Sequence, residues 1–150
     1  MIKLKKLLSL TIGALLMISC ASNKNISEAS EKWVLKFEKG GCVEVCNAYT
    51  ISIKSDGKYN YTGKYKVKHL GSKMGVLKPK ELARLNDLLS IVKWEDVGSS
   101  FGLNANNSQL KVLQYSTKEI KKKTSYYSAE PQSIKDLEHY LDIIVNKDEI

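Results

Sequence analysis

The sequence predicts an α+β domain, an antiparallel β-sheet built from hairpins and packed against two amphipathic helices. Three observations predict it. Two stretches alternate apolar and polar residues on either side of a turn signal. Each is followed by a stretch with apolar residues at helical spacing. The resulting order, strands, helix, strands, helix, suits an antiparallel sheet whose apolar face is covered by helices. The chain has 150 residues, enough for a single hydrophobic core.

The domain opens with "WVLKFEKGG", where Trp33, Leu35 and Phe37 alternate with Val34, Lys36 and Glu38 as in a half-buried strand. After two cysteines, Tyr49, Ile51 and Ile53 alternate with Thr50, Ser52 and Lys54. Asp56-Gly57 then predicts a two-residue type I′ hairpin turn, in which both central positions take positive φ. The return strand sets Tyr59, Tyr61, Tyr65 and Val67 against Lys58, Asn60, Lys64 and Lys66. Such a row of rings reads first as cross-strand packing and second as a ligand platform.

"KMGVLKPKELARLNDLLSIVKW" changes to helical spacing, with Leu82, Leu85, Leu88, Leu89 and Val92 on one stripe and Pro79 in the first turn. Trp94 is expected to close this element against the sheet. The following "GSSFGLNANNSQ" lacks periodicity and is expected to be a long loop, of the kind that is mobile or functional. "QLKVLQYSTKEIKKKTSYY" reads as a second hairpin turning near Thr117-Lys118. On a strand, Lys121, Lys122 and Lys123 alternate faces, and edge lysines discourage sheet-to-sheet aggregation. The last helix places Ile134, Leu137, Leu141, Ile144 and Val145 on one face, with Pro131 near its start.

The N-terminus stands apart from this domain. "MIKLKK" is a basic n-region and "LLSLTIGALLMI" an apolar run too short for a comfortable membrane span, the layout of a secretory signal. "LMISC" resembles the lipobox of bacterial lipoproteins, which implies a signal peptide over 1–19 and lipidation of Cys20. Residues 20–32 then form a polar tether reaching about 20 Å, ahead of a single domain over 33–150. Ala21 stands where an Asp would signal inner-membrane retention, so the resemblance implies an outer membrane lipoprotein facing the periplasm. Cleavage would lower the formal net charge from +8 to +5, because the signal's three charges are all lysines. For a basic envelope protein the first reading is a soluble surface that is simply rich in lysine and the second an anionic counter-surface of lipid headgroups or lipopolysaccharide, and no nucleic-acid motif is present.

Cys42 and Cys46 are the two remaining thiols. A structural disulfide, a redox pair and two ligands of a metal site are all open to them, the first favoured in an oxidising compartment. On a strand their Cα atoms would lie about 13 Å apart, so a bond needs a compact turn, which Gly40-Gly41 permits. The C-x-x-x-C spacing differs from the C-x-x-C of oxidoreductases. His69 and His139 do not stand at ligand spacing, so neither a metal nor another cofactor is expected.

"GGCVEVCNAYTISIKSDGKYNYTG" resembles an uncharacterised family of bacterial lipoprotein and secreted domains with the core G-x-C-x-x-x-C-P-x-Y-x-x-x-I-x-x-D-G-x-x-x-Y-x-G. Gly40, Cys42, Cys46, Tyr49, Ile53, Asp56, Gly57, Tyr61 and Gly63 match it, and Asn47 replaces its proline. That resemblance implies a fold and an address but no activity.

No G-x-S-x-G, H-E-x-x-H or phosphate-cradling glycine loop occurs, and no pair of acids stands out as catalytic, so no enzyme is expected. The expected function is a lipid-anchored periplasmic binding or interaction module, its partner an envelope protein, peptidoglycan or lipopolysaccharide. Tyr59, Tyr61, Asn104, Asn106 and Asn107 form the candidate binding surface. The alternative is a thiol redox or stress sensor using Cys42 and Cys46.

Overall fold

The computed structural model describes residues 33–42, 46–102 and 108–147. The expected signal segment, Cys20 and its tether, and Asn104, Asn106 and Asn107 lie outside the described residues. The elements are β1 (Trp33–Lys39), β2 (Ala48–Lys54), β3 (Lys58–Tyr65), β4 (Gly71–Val76), α1 (Pro79–Ile91), β5 (Ser100–Phe101), β6 (Lys111–Ser116), β7 (Lys121–Tyr126) and α2 (Gln132–Val145). The strands form one sheet in the order β4-β3-β2-β1-β6-β7-β5. All pairings are antiparallel except that of the short β5 with β7. The α+β class with two helices against a largely antiparallel sheet is therefore the observed architecture.

Strand pairing aligns side chains in rows across the sheet, because residues directly opposite share a face. One row runs Thr124, Leu113, Phe37, Ile51, Tyr61 and Lys73; the next runs Lys122, Tyr115, Leu35, Ile53, Tyr59 and Gly75. The apolar members of these rows meet Leu85, Leu88 and Leu89 of α1 and Ile134, Leu137, Leu141, Ile144 and Val145 of α2 in the core. The helical stripes are those that the 3.6-residue spacing predicts. Trp94 is buried, stacks on Tyr115 at 4.3 Å between centroids and donates its indole N–H to the Leu89 carbonyl at 3.0 Å. It closes α1 against the sheet as expected. Tyr140 joins the helices by donating to the Glu81 carbonyl at 3.1 Å.

Three local expectations are corrected. The first turn is a three-residue loop, not type I′. Gly57 N–H donates to the Lys54 carbonyl at 3.0 Å and Gly57 alone takes positive φ, +83°, as in a type I turn followed by a G1 bulge. Asp56 locks it by accepting from Lys58 N–H at 3.0 Å. Next, the alternation in β3 ends at Gly63. The pairing slips between Tyr49↔Gly63 and Ala48↔Tyr65, a bulge that leaves Tyr65 exposed.

The third correction is β4, which precedes α1 where helical spacing was expected to begin. Its core-facing positions include Gly71 and Gly75, while Met74 and Val76 face solvent. A Cβ on Gly75 would lie 2.4 Å from the Tyr59 hydroxyl oxygen, so the ring occupies the space that a side chain would fill. The non-periodic loop after Trp94 likewise contributes the short strand β5. No helix among the described residues is long and apolar enough to cross a membrane.

Candidate functional site

At the end of the sheet where β1 gives way to the cysteine loop, the core-facing row runs Tyr126, Lys111, Lys39 and Tyr49 across four adjacent strands. The same alternation that buries Leu35 and Phe37 turns Lys39 inward, and Lys39 is only 6% exposed. Two ammonium groups on directly opposed positions repel, so the arrangement requires anions. The last three turns of α2 and the segment before it supply them.

Glu138 bridges the lysines, Oε1 lying 3.1 Å from Lys39 Nζ and Oε2 2.9 Å from Lys111 Nζ. Lys39 also donates to Asp142 Oδ2 at 2.7 Å, and Lys111 pairs with Glu130 at 3.2 Å. The Tyr49 hydroxyl donates to Asp142 Oδ1 at 2.6 Å, and the Tyr126 hydroxyl lies 3.4 Å from Glu138 Oε2. The lysine ammonium groups also sit over the rings, Lys111 at 5.1 Å from the centroid of Tyr126.

These contacts set the proton states. Burial first, then the charge of and hydrogen bond to Asp142, push the Tyr49 phenol far above its ordinary range. Burial and the charge of Glu138 do the same to Tyr126. Burial opposes the charge on Lys111, but hydrogen bonds and charges from Glu138 and Glu130 outweigh it and hold its pKa above the usual value. Lys111 thus stays an ammonium ion, unavailable as a nucleophile, and both phenols stay neutral. Glu130, Glu138 and Asp142 also line a recess of about 220 Å³ with Lys135 and His139.

The cysteine loop adjoins this row. Cys42 and Cys46 are joined in a disulfide with Cα atoms 5.6 Å apart, and both residues are half-buried. Gln109 ties the two ends of the loop together, donating to the Gly40 carbonyl at 2.7 Å and the Asn47 carbonyl at 2.6 Å. Gly40 N–H adds a bond to the Leu110 carbonyl at 2.8 Å. Strand pairing and Gln109 therefore hold the loop's ends independently of the sulfurs.

Tyr59 and Tyr61 do not form an exposed surface. They are 7% and 1% exposed, and their rings pack in the core, the cross-strand packing alternative. Tyr61 donates to the His69 carbonyl at 2.9 Å beneath Gly63, where a Cβ would lie 1.9 Å from that same oxygen. This close approach explains a glycine at the end of the sequence pattern. Among the described residues no group of three or more His, Cys, Asp or Glu is placed to hold a metal ion. His139 is exposed on α2. His69 bonds the Lys147 carbonyl through Nε2 at 2.9 Å and accepts from Lys73 at Nδ1, 3.1 Å away.

Sequence reasoning missed the Tyr–Lys–Lys–Tyr row. The signal was present, since Lys39 continues the inward positions Leu35 and Phe37, and Lys111 shares a face with Leu113.

No curated protein and no solved structure matches the chain significantly. A family model described as Domain of unknown function (DUF6438) matches residues 34–145. That span contains the whole core, the disulfide and every member of the charged row, and the chain belongs to this family of uncharacterised domains.

Proposed function

We propose that this is a lipid-anchored envelope protein whose Cys42–Cys46 pair works by reversible thiol–disulfide exchange. The carrying observation is that the bond closes a loop the rest of the fold already holds, through Gln109 and Gly40. A bond spanning so few residues contributes only about 2 kcal/mol by loop closure. Its loss leaves the sheet paired, which suits a switch better than a staple. Neither cysteine residue is fully buried.

The exchange balances with a dithiol partner. A partner thiolate attacks one sulfur of the Cys42–Cys46 bond and forms a mixed disulfide. The partner's second thiolate displaces it, leaving the partner oxidised. Two electrons and two protons reside on Cys42 and Cys46. The anchor at Cys20 and the periplasmic address rest on the lipobox resemblance.

The test is the thiol state of the protein taken directly from cells, trapped by alkylation and read by intact and peptide mass spectrometry. The same spectra report acyl groups on Cys20. The purified protein is then equilibrated with a dithiol under native conditions. Reversible reduction with the circular dichroism of the fold retained is expected. A bond untouched by the dithiol in the folded protein, or reduction that unfolds the domain, would reject the exchange reading and make the bond a staple.

A second reading, an interaction module, is favoured by the helix-free face of the sheet.

A further inference from the structure

Both helices pack on one face of the sheet, and among the described residues no helix packs on the other, whose residues are exposed or half-buried apart from Ser52 at 8%. Pairing aligns that open face in rows. One runs Lys123, Gln114, Lys36, Ser52, Asn60 and Met74 across six strands, and its neighbour runs Ser125, Val112, Glu38, Thr50, Thr62 and Ser72. Lys121, Lys54, Lys58 and Lys64 join the same face, the last through its ion pair with Glu38. Among the described residues six lysines, Lys36, Lys54, Lys58, Lys64, Lys121 and Lys123, stand on this face against Glu38 and Asp56.

The helices carry no such excess. In α1, Lys80 and Arg84 offset Glu81 and Asp87. In α2, Lys135 faces Asp136, Glu138 and Asp142. Glu138 and Asp142 are already paired with Lys39 and Lys111 beneath them, so the helices' own surface is close to neutral and the bare sheet is the more basic side.

Shape narrows the counter-surface. Over β2, β3 and β4 the open face carries the short side chains of Thr50, Ser52, Thr62 and Ser72. It spans about 24 Å from β7 to β4 at roughly 4.8 Å per strand. Lys123 and Lys36 stand two strands apart and Lys58 two strands further, so the charges do not converge on a small anion. Single-stranded nucleic acid calls for stacking rings, and neither row carries one. At one margin Met74 is 84% and Val76 62% exposed. With Lys54, Lys58 and Asn60 they line a mostly apolar recess of about 420 Å³. A flat basic plane with an apolar margin complements an anionic headgroup layer above acyl chains.

We propose that the helix-free face of the sheet docks on an anionic lipid bilayer, its lysines over the headgroups and Met74 and Val76 at the interface. This orients the domain with the helices and the charged recess away from the membrane. It goes beyond the thiol reading and holds whichever state Cys42 and Cys46 are in.

The experiment uses the unacylated chain from Ala21 onward, which retains every core residue, Leu35 to Val145. Binding is measured by co-sedimentation with phosphatidylglycerol/phosphatidylcholine vesicles and with phosphatidylcholine alone, at low and high salt. Binding that needs phosphatidylglycerol and weakens with salt is expected. Lys36→Gln/Lys121→Gln/Lys123→Gln should bind about a hundredfold more weakly, near fivefold per lysine. The matched helix-side variant Lys80→Gln/Arg84→Gln/Lys135→Gln should stay within about twofold of the parent, since those charges lie on the far side. All six positions are exposed, so both variants keep the core. Equal losses in the two variants, binding indifferent to phosphatidylglycerol, or preference for a soluble acidic polymer over vesicles would each overturn the proposal.

Discussion

Lys39→Met tests whether the charged row stabilises the fold. Methionine keeps the length and the packing of the aliphatic stem and removes the cation between Glu138 and Asp142. Removing one partner of a buried ion pair costs about 3–5 kcal/mol, because a charge is left uncompensated. Here each acid retains a donor, Asp142 from Tyr49 at 2.6 Å and Glu138 from Lys111 at 2.9 Å. The Asp142 side chain is also 27% exposed, so water screens part of the loss. The expected cost is therefore about 2–3 kcal/mol. For a domain of this size that corresponds to a fall in Tm of about 10 °C. Urea unfolding should show a lower midpoint at unchanged slope. Adding Asp142→Asn, which still accepts from Tyr49, should recover about 1 kcal/mol of the loss, since the two sites are directly coupled. A loss below about 0.5 kcal/mol, the size of an ordinary surface substitution, together with strict additivity, would show that the row is solvated and contributes nothing to stability.

Stability should fall on the alkaline side. Tyr49, Tyr126 and Lys111 have pKa values raised above their ordinary 10.0, 10.0 and 10.5, so above about pH 10 the unfolded chain releases protons that the folded chain keeps. Their stabilisation is complete below the unfolded values and is lost at up to about 1.4 kcal/mol per pH unit for each group as pH rises between the unfolded and folded values. Urea midpoints followed from pH 8 to 11 alongside tyrosinate absorbance measure it, and a flat profile would contradict the burial of the phenols. Thr124 Oγ1 is buried and has no hydrogen-bond partner among the described residues, so Thr124→Val should raise stability by about 1 kcal/mol. A lower urea midpoint in that variant would mean that the hydroxyl has a partner.

Local chemistry made most of the elements legible. The alternation around Leu35-Phe37 and Tyr49-Ile51-Ile53, and the stripes Leu85-Leu88-Leu89 and Ile134-Leu137-Leu141, carry the strand and helix periods directly, because each element has one buried face. β4 escaped since its pattern is inverted. Its inward positions are Gly71, Lys73 and Gly75, the last a glycine because the Tyr59 ring lies against its backbone, and its apolar residues face out. The turn type escaped because Asp-Gly serves both a type I′ turn and the bulged alternative, and the strand register decides between them.

The sequence by itself determined the α+β class, the order of its elements and the faces of its helices, since these follow from periods of two and 3.6 along the chain. Its lipobox pattern also set the expectation of an anchored envelope protein. Only the tertiary structure decided which polar residues are buried and what they meet. Lys39 bonds a carboxylate 103 positions away, and Tyr49 reaches the same carboxylate across 93. Only folding joins such partners, because no local pattern spans that distance. The bare, basic side of the sheet was hidden for the same reason. Its lysines are scattered from Lys36 to Lys123 along the chain and become one surface only when six strands pair in register.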